Sequence, residues 1–243
     1  DYPIWFEKHG GCVLGATIDK YCWLAVRPRS PFGPRFKISY SRVEECDSID
    51  EIEHPAVREC LRCIEMDDGC EIYHTSDLPA RSGVGSSSAF VVGLLNALQD
   101  MTEQRSDFSR LAETAVRVER ELLKENVGCQ DQYLTAIGGI LQLDFFDGGR
   151  VAFTRPVLGG VVSSSLNNHL LLYYTGIQRT SSDITGTYVH SLLGHDKAVR
   201  RIQNMPSLAG NYLYCWNDLN AVRFGRMLGE GWILKRSLGD KIT

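Results

Sequence analysis

The 243-residue chain has no long apolar run, no excess of positive charge and no basic-then-apolar leader at its start. A bilayer span needs about 18 or more consecutive apolar residues, and a secretory leader needs a basic stretch before an apolar one. The formal net charge of -4 gives no electrostatic reason to expect nucleic acid as a partner. We therefore expect a cytoplasmic protein that binds neither membranes nor nucleic acid.

A tight cysteine framework is also missing, because the eight cysteines are scattered along the chain. Cys60 and Cys63 form a C-x-x-C pair, to which Cys70 or His54 would have to add further zinc ligands. The alternative is a helix over His54–Met66 whose apolar stripe includes Cys60. We favour this second interpretation, in which the thiols pack as small apolar groups.

The composition, with 43% hydrophobic and 23% charged residues, is that of a globular protein with a sizeable core. A chain of this length builds one large domain or two modest ones. The glycines and serines of Pro156–Ser165 predict a loop at the boundary, which gives domains of residues 1–160 and 161–243.

Further elements are predicted on both sides of this boundary. Ile140–Phe153 reads as a hairpin around a glycine turn, and His169–Tyr174 reads as a short apolar strand. Helices are expected over Lys197–Tyr214 and Leu219–Ser237.

The most informative stretch runs from Ser76 to Leu98. Gly83 and Gly85 permit a tight turn, three serines follow, and the next ten residues are almost all apolar. This pattern predicts a loop that opens into a buried helix. Such a junction offers unpaired amides and the positive end of a helix dipole, both suited to phosphate. An ordinary capped core helix has the same composition, so residue types alone leave both interpretations open.

Pro79 and the run Gly83–Ala89 resemble the P-x-x-x-G-L-G-S-S-A motif of the GHMP kinases, the superfamily of galactokinase, homoserine, mevalonate and phosphomevalonate kinases. A Walker A loop would end in Gly-Lys-Ser or Gly-Lys-Thr, and the spacing of the Rossmann motif is also different. The resemblance implies that ATP binds here. Its phosphates would be held by Pro79, Gly83, Val84, Gly85, Ser86, Ser87 and Ser88.

A glutamate interrupts the apolar stripe of the next predicted helix. Ala112, Ala115, Glu119 and Leu122 recur at spacings of three, four and three, so they share one helix face. A carboxylate on a buried face needs a partner, because an unpaired buried charge is expensive. A salt bridge or a position at the edge of the stripe would satisfy this requirement without any ligand.

Asp131 lies at or near the start of another apolar helix, Gln132–Ile137, where capping is the commonest role of an aspartate. The stretch Glu119–Gln132 is, however, similar to the one in which galactokinase-type members place a magnesium-ligating glutamate. Twelve positions later these members have a catalytic aspartate within G-x-x-D-Q. The resemblance implies that Ser87 and Glu119 hold Mg2+ and that Asp131 acts as the base.

Within the superfamily the chain is similar to the D-glycero-D-manno-heptose 7-phosphate kinases over nearly its whole length. The resemblance implies an α+β fold with an N-terminal domain like ribosomal protein S5 domain 2 and a ferredoxin-like C-terminal domain. The segments that carry it are His9-Gly10-Gly11, Ala16–Tyr21, Gln130–Tyr133, Tyr174–Ile177 with Arg179, and Trp232 with Leu234–Ser237.

The implied substrate is a small sugar phosphate, whose phosphate would meet Arg179, Thr180 and Gly176. Lys235 and Arg236 would either join them or merely complement the negative end of their own helix. There are two alternatives. One is a kinase for a neutral sugar of the fucose or galactose type, and the other is a non-catalytic nucleotide-binding relative. The family has a G-G-G-T-D segment that would be expected just before Asp1. Its glycine-rich third motif would be expected after Thr243. The resemblance therefore implies a chain that is cut at both ends.

Overall fold

The computed structural model describes residues 1–80, 82–174, 176 and 196–238. The chain contains both helices and strands, which confirms the expected mixture of the two. Among the described residues no helix combines the length and apolarity needed to span a membrane. In chain order the principal elements are α1 (Pro3–His9), β1 (Gly11–Ala16), β2 (Cys22–Pro28), β3 (Phe36–Ser39), β4 (Val43–Cys46), α2 (Pro55–Cys63), β5 (Cys70–Ser76), α3 (Ser86–Met101), α4 (Phe108–Arg117), α5 (Gln130–Ile137), β6 (Ile140–Phe145), β7 (Val151–Thr154), α6 (Gly160–His169), α7 (Asp196–Tyr214) and α8 (Asp218–Arg236).

Contacts divide the chain into two units. We call Ile18–Gly138 the inserted unit, and Asp1–Thr17 together with Gly139–Thr243 the terminal unit. These units do not coincide with the division predicted at residue 160. The reason is that β1, near the start of the chain, pairs antiparallel with β6 and so belongs with residues far along the sequence.

The inserted unit is a four-stranded sheet, in the order β2-β5-β3-β4, with helices packed against it. Strands β3 and β5 run parallel, whereas the other neighbours are antiparallel. The core lies around α3, whose Val91, Leu94, Leu95 and Leu98 are completely buried. Cys60 of α2 is buried in the same core, as the predicted helix around it requires.

The terminal unit contains a three-stranded antiparallel sheet in the order β1-β6-β7. The predicted hairpin is confirmed, since β6 and β7 pair across the turn Asp147–Gly149. The side-chain amide of Gln203 in α7 donates to the carbonyl oxygens of His9 and Gly10 at 3.0 and 3.1 Å. These bonds join α7 to the end of α1.

Two predictions for the terminal unit are wrong. The helix α6 begins at Gly160, inside the segment predicted as a loop, because Leu166 is buried and Ser165 accepts a hydrogen bond from the indole of Trp216. Residue 169 is still helical, and residues 170–174 have no regular secondary structure instead of the predicted strand. The helices predicted near residues 197–214 and 219–237 are confirmed as α7 and α8.

Candidate active site

The loop between β5 and α3 ends in a conformation that only glycine adopts readily. Gly83 and Gly85 have φ angles of +79° and +76°, and α3 begins at the next residue, Ser86. Because Gly85 occupies the capping position and has no side chain, it gives the first amides of α3 no side-chain cap. The first amides of a helix have no partner within the helix either. This end of α3 therefore has donors directed at the loop, as a phosphate site requires.

The three serines that open α3 differ in burial. Ser87 is exposed, whereas the neighbouring Ser88 is only 5% exposed. Consecutive residues of a helix point about 100° apart, so the two hydroxyls face different surroundings. The hydroxyl of Ser88 faces the interior, and that of Ser87 lies on the side of the loop that solvent reaches.

Glu119 is completely buried, as its place on the apolar stripe of α4 predicts. Its carboxylate accepts hydrogen bonds from the hydroxyl of Ser88, with distances of 3.1 Å to Oε1 and 2.9 Å to Oε2. The side-chain amide Nε2 of Gln132 in α5 also donates to Oε2. The partner required by a buried carboxylate is thus a pair of neutral donors rather than a salt bridge.

A π-helical turn at Val118–Leu122 carries Glu119 and interrupts the regular spacing of α4. The amide of Leu123 donates to the carbonyl of Val118 at 2.9 Å, a step of five residues instead of four. The prediction that Leu122 lies on the buried face is therefore wrong, and its side chain is 40% exposed. Such turns inside helices are frequent at functional sites.

Burial raises the pKa of Glu119 from its ordinary value to about 7. The hydrogen bonds from Gln132 and Ser88 act in the opposite direction, and the nearby charges of Glu125 and Asp131 raise the pKa further. A cation that approached this carboxyl group would lower its pKa, because an opposite charge favours the ionised form.

Asp131 lies in the first turn of α5, one residue inside the helix rather than at its capping position, which Cys129 occupies. Its carboxylate lies against the loop: a Cβ atom added at Gly85 would stand 3.3 Å from Oδ2 of Asp131. The structure thus brings together the glycine loop, Glu119 and Asp131, all within the inserted unit.

Two buried side-chain oxygens near these residues in sequence lack hydrogen-bond partners within the described chain, namely Oγ of Ser82 and Oε1 of Gln132. No cluster of three or more His, Cys, Asp or Glu side chains suited to a metal occurs in the described part of the chain. This does not conflict with Mg2+, which kinases hold through one or two carboxylates together with substrate phosphates.

For the remaining predicted site residues the structure gives only a position in the chain or a backbone angle, or it does not describe them. Pro79 lies in the loop after β5, and Val84 is partly exposed between the two loop glycines. Gly176 has a φ angle of +75°, while Arg179 and Thr180 lie outside the described residues.

Sequence reasoning missed Ser88 and Gln132 as partners of Glu119. The available signals were a serine where the motif has alanine, and a glutamine directly after Asp131. A buried carboxylate needs donors, and these two side chains supply them.

Comparison of this chain with known protein families and with individual proteins gives independent information about its relatives. Residues 52–139 match the model of the GHMP kinases N terminal domain. The chain is 26% identical to the D-glycero-alpha-D-manno-heptose 7-phosphate kinase of Campylobacter jejuni, over 100% of this chain and 74% of that protein. It is also 29% identical to the L-fucokinase/L-fucose-1-P guanylyltransferase of Bacteroides fragilis, over 70% of this chain and 18% of that protein.

Solved structures show the same fold. A D-glycero-D-manno-heptose 1-phosphate kinase from Bacteroides thetaiotaomicron matches with a TM-score of 0.79 and 21% identity, over 98% of this chain and 74% of that one. The Lactococcus lactis galactokinase, solved with galactose, matches with a TM-score of 0.67 and 14% identity, over 98% and 72%. Residues 52–139 therefore carry the GHMP kinases N terminal domain, and the similarity to kinases of this family over the whole chain identifies the protein as an ATP-dependent sugar kinase.

Proposed function

We propose that the protein transfers a phosphoryl group from ATP to the anomeric hydroxyl of D-glycero-D-manno-heptose 7-phosphate. The observation that carries the proposal is the position of the Asp131 carboxylate, which lies where a side chain at the loop glycine Gly85 would meet it and is therefore beside the expected phosphate site. The whole-chain similarity to a heptose 7-phosphate kinase supports the choice of sugar.

In this proposal the loop binds the phosphates of ATP. The amides of Gly83–Ser88 donate to phosphate oxygens, because the start of α3 combines unpaired donors with a positive dipole. Pro79 and Val84 shape the loop around these amides. The buried apolar residues of α3 hold the amides in place, so little reorganisation is needed on binding.

The residues at this place suit Mg2+. Ser87 has an exposed hydroxyl, Glu119 has a carboxylate, and the unpartnered Oε1 of Gln132 is a further buried oxygen. Hydroxyl, carboxylate and carbonyl oxygens are the donors that Mg2+ prefers. We assign Ser87 and Glu119 as its protein ligands. When bound, the ion would neutralise charge on the transferred phosphoryl group.

Asp131 accepts the proton of the attacking sugar hydroxyl, or orients that hydroxyl, in the proposed reaction. Its carboxylate is anchored in the first turn of α5, where the helix dipole favours a negative charge. A positioned general base typically contributes about 10²- to 10⁴-fold to the rate.

The substrate's own phosphate is assigned to Arg179, Thr180 and Gly176. A guanidinium grips a phosphate through two parallel hydrogen bonds, and nearby hydroxyls complete such a site. We also propose that the two domains are of the S5 domain 2 and ferredoxin-like types.

A comparison of two acceptors tests the proposal on the full-length protein. The heptose 7-phosphate is expected to exceed the same heptose without phosphate by at least about tenfold in kcat/KM, the scale of one lost charged hydrogen bond. Arg179→Ala is expected to erase much of this preference. Equal use of both sugars by the unmutated protein would contradict the choice of substrate.

A neutral sugar of the fucose or galactose type is the second candidate. It is favoured by the 29% identity to an L-fucokinase/L-fucose-1-P guanylyltransferase. The same kcat/KM assay, extended to fucose and galactose, decides between the heptose 7-phosphate and a neutral sugar as the substrate. Nucleotide binding without turnover of any sugar would instead identify a non-catalytic relative.

A further inference from the structure

Glu119 is held by side chains from two other helices. Ser88 reaches it from the first turn of α3, and Gln132 reaches it from α5. Both partners are themselves buried, with exposures of 5% and 1%. Since neither hydroxyl nor amide carries a charge, they hold the carboxylate in place without neutralising it.

Gln132 has a second polar atom that this arrangement does not use. Its Nε2 donates to Glu119, but its Oε1 is buried without a hydrogen-bond partner in the described chain. A buried acceptor left unpaired costs free energy, so such an atom in a native site usually marks a water, an ion or a ligand. The natural donor beside a carboxylate that ligates Mg2+ is a water molecule on the ion, because Mg2+ usually keeps several waters.

Ser88 is placed to link the two assigned metal ligands. It directly follows Ser87, and its hydroxyl binds both carboxylate oxygens of Glu119. An ionised carboxylate has about four lone-pair positions, and Ser88 and Gln132 supply one donor hydrogen each, so capacity for a cation remains. The family motif that the loop resembles has alanine at this position, which could not make the contact.

We propose that Ser88 and Gln132 are positioning residues for Mg2+: they fix the carboxylate of Glu119, and Oε1 of Gln132 accepts a hydrogen bond from a water on the ion. This inference rests on the proposed function, since it assumes that Glu119 ligates the metal of a nucleotide complex. It adds that the fit of the metal depends on two neutral side chains, whereas the assigned contact of residue 88 with the phosphates is made by its backbone amide alone.

The test measures ADP binding by calorimetry on the full-length protein, once with excess Mg2+ and once with EDTA. Ser88→Ala and Gln132→Met remove the two donors, and Ser88→Thr keeps the hydroxyl. Ser106→Ala is the matched control, because Ser106 donates to Gln99 at 2.9 Å in the same unit without contacting Glu119. Thermal unfolding without metal checks that each variant is folded.

We expect Ser88→Ala and Gln132→Met each to weaken ADP binding in Mg2+ by about tenfold or more, the usual effect of losing a partner that orients a metal ligand. Binding in EDTA stays unchanged, because the substitution at residue 88 keeps the backbone amide that is assigned to the phosphates. Ser88→Thr retains most of the magnesium effect, and Ser106→Ala changes neither value. If one variant does not fold, the other gives the same measurement through the second donor.

Two results would overturn the inference alone while the unmutated protein still binds ADP more tightly with Mg2+. Either the variants keep the full magnesium effect, or they lose affinity equally with and without the metal, as a merely structural role would produce. An unmutated protein that binds no ADP, or binds it equally in Mg2+ and EDTA, overturns the inference together with the proposed metal site.

Discussion

Helices α3 and α8 have similar lengths but differ in what they bury. In α3, eight of 16 residues are buried, because the helix contacts β2 and the helices α2, α4 and α5. In α8, only Asn220 and Met227 of 19 residues are buried, and its main neighbour is α7. Several apolar side chains of α8 are exposed, among them Leu219, Val222, Leu228, Trp232 and Ile233.

The difference shows that apolar content indicates what a helix has available to bury, while its neighbours decide how much is buried. The helix with neighbours on several sides is the one that begins at the proposed phosphate site. A rigid helix keeps its first amides in a fixed position, which is what electrostatic stabilisation of a reaction requires.

The largest difference between two helices, α5 and α8, is expected in kcat, when the carboxylate in the first turn of each is replaced by an amide. Asp131→Asn in α5 lowers kcat by about 10²- to 10⁴-fold while ATP still binds, because a general base is lost. Asp218→Asn in α8 removes an exposed carboxylate from a corresponding first turn and leaves kcat unchanged. Steady-state kinetics and ATP binding are measured on both variants. Near-normal turnover by Asp131→Asn would contradict the role of Asp131 as general base and leave it only a stabilising interaction with the helix dipole.

Truncating one leucine in each of the two compared helices tests the difference in burial directly. Leu95 in α3 is 0% exposed, and Leu228 in α8 is 50% exposed. Leu95→Ala is expected to lower the free energy of unfolding by about 2–5 kcal/mol, because it removes buried methyl groups and leaves a cavity. Leu228→Ala changes it by about 0.5 kcal/mol or less. Urea titration followed by circular dichroism measures both values, and equal losses would show that α8 is covered by a partner in solution.

Glycine-to-alanine changes give the smallest expected effects, and they have opposite signs. Gly85→Ala forces a left-handed residue against the carboxylate of Asp131, at an expected cost of about 1–2 kcal/mol. Gly229→Ala in α8 meets no neighbouring atom within 4 Å and is expected to stabilise its helix by about 0.5–1 kcal/mol. Thermal unfolding measures both changes. A stabilising Gly85→Ala would contradict the loop conformation described above.

Local sequence patterns predicted much of the site. The glycines and serines after β5 indicated where α3 begins, and the spacing of Ala112, Ala115 and Glu119 indicated a buried carboxylate. Both results depend on a few neighbouring residues, and the structure confirms them.

Features that depend on distant neighbours were not predictable in the same way. The π-helical turn displaced Leu122, and the donors of Glu119 come from helices 31 and 13 residues away in sequence. Serines 163–165 indicated a loop, but the burial of Leu166 favours a helix there. No periodicity in one segment contains this information, because it arises from packing between segments.

The pairing of β1 with β6 affects how the chain is made. When the ribosome has finished Gly11–Ala16, the partner Ile140–Phe145 does not yet exist, and more than a hundred residues must still be translated. At the usual speed of translation this interval lasts roughly 10 s, a long time for an unpaired strand. The sheet of the terminal unit therefore closes only after the whole of Ile18–Gly138 has been translated.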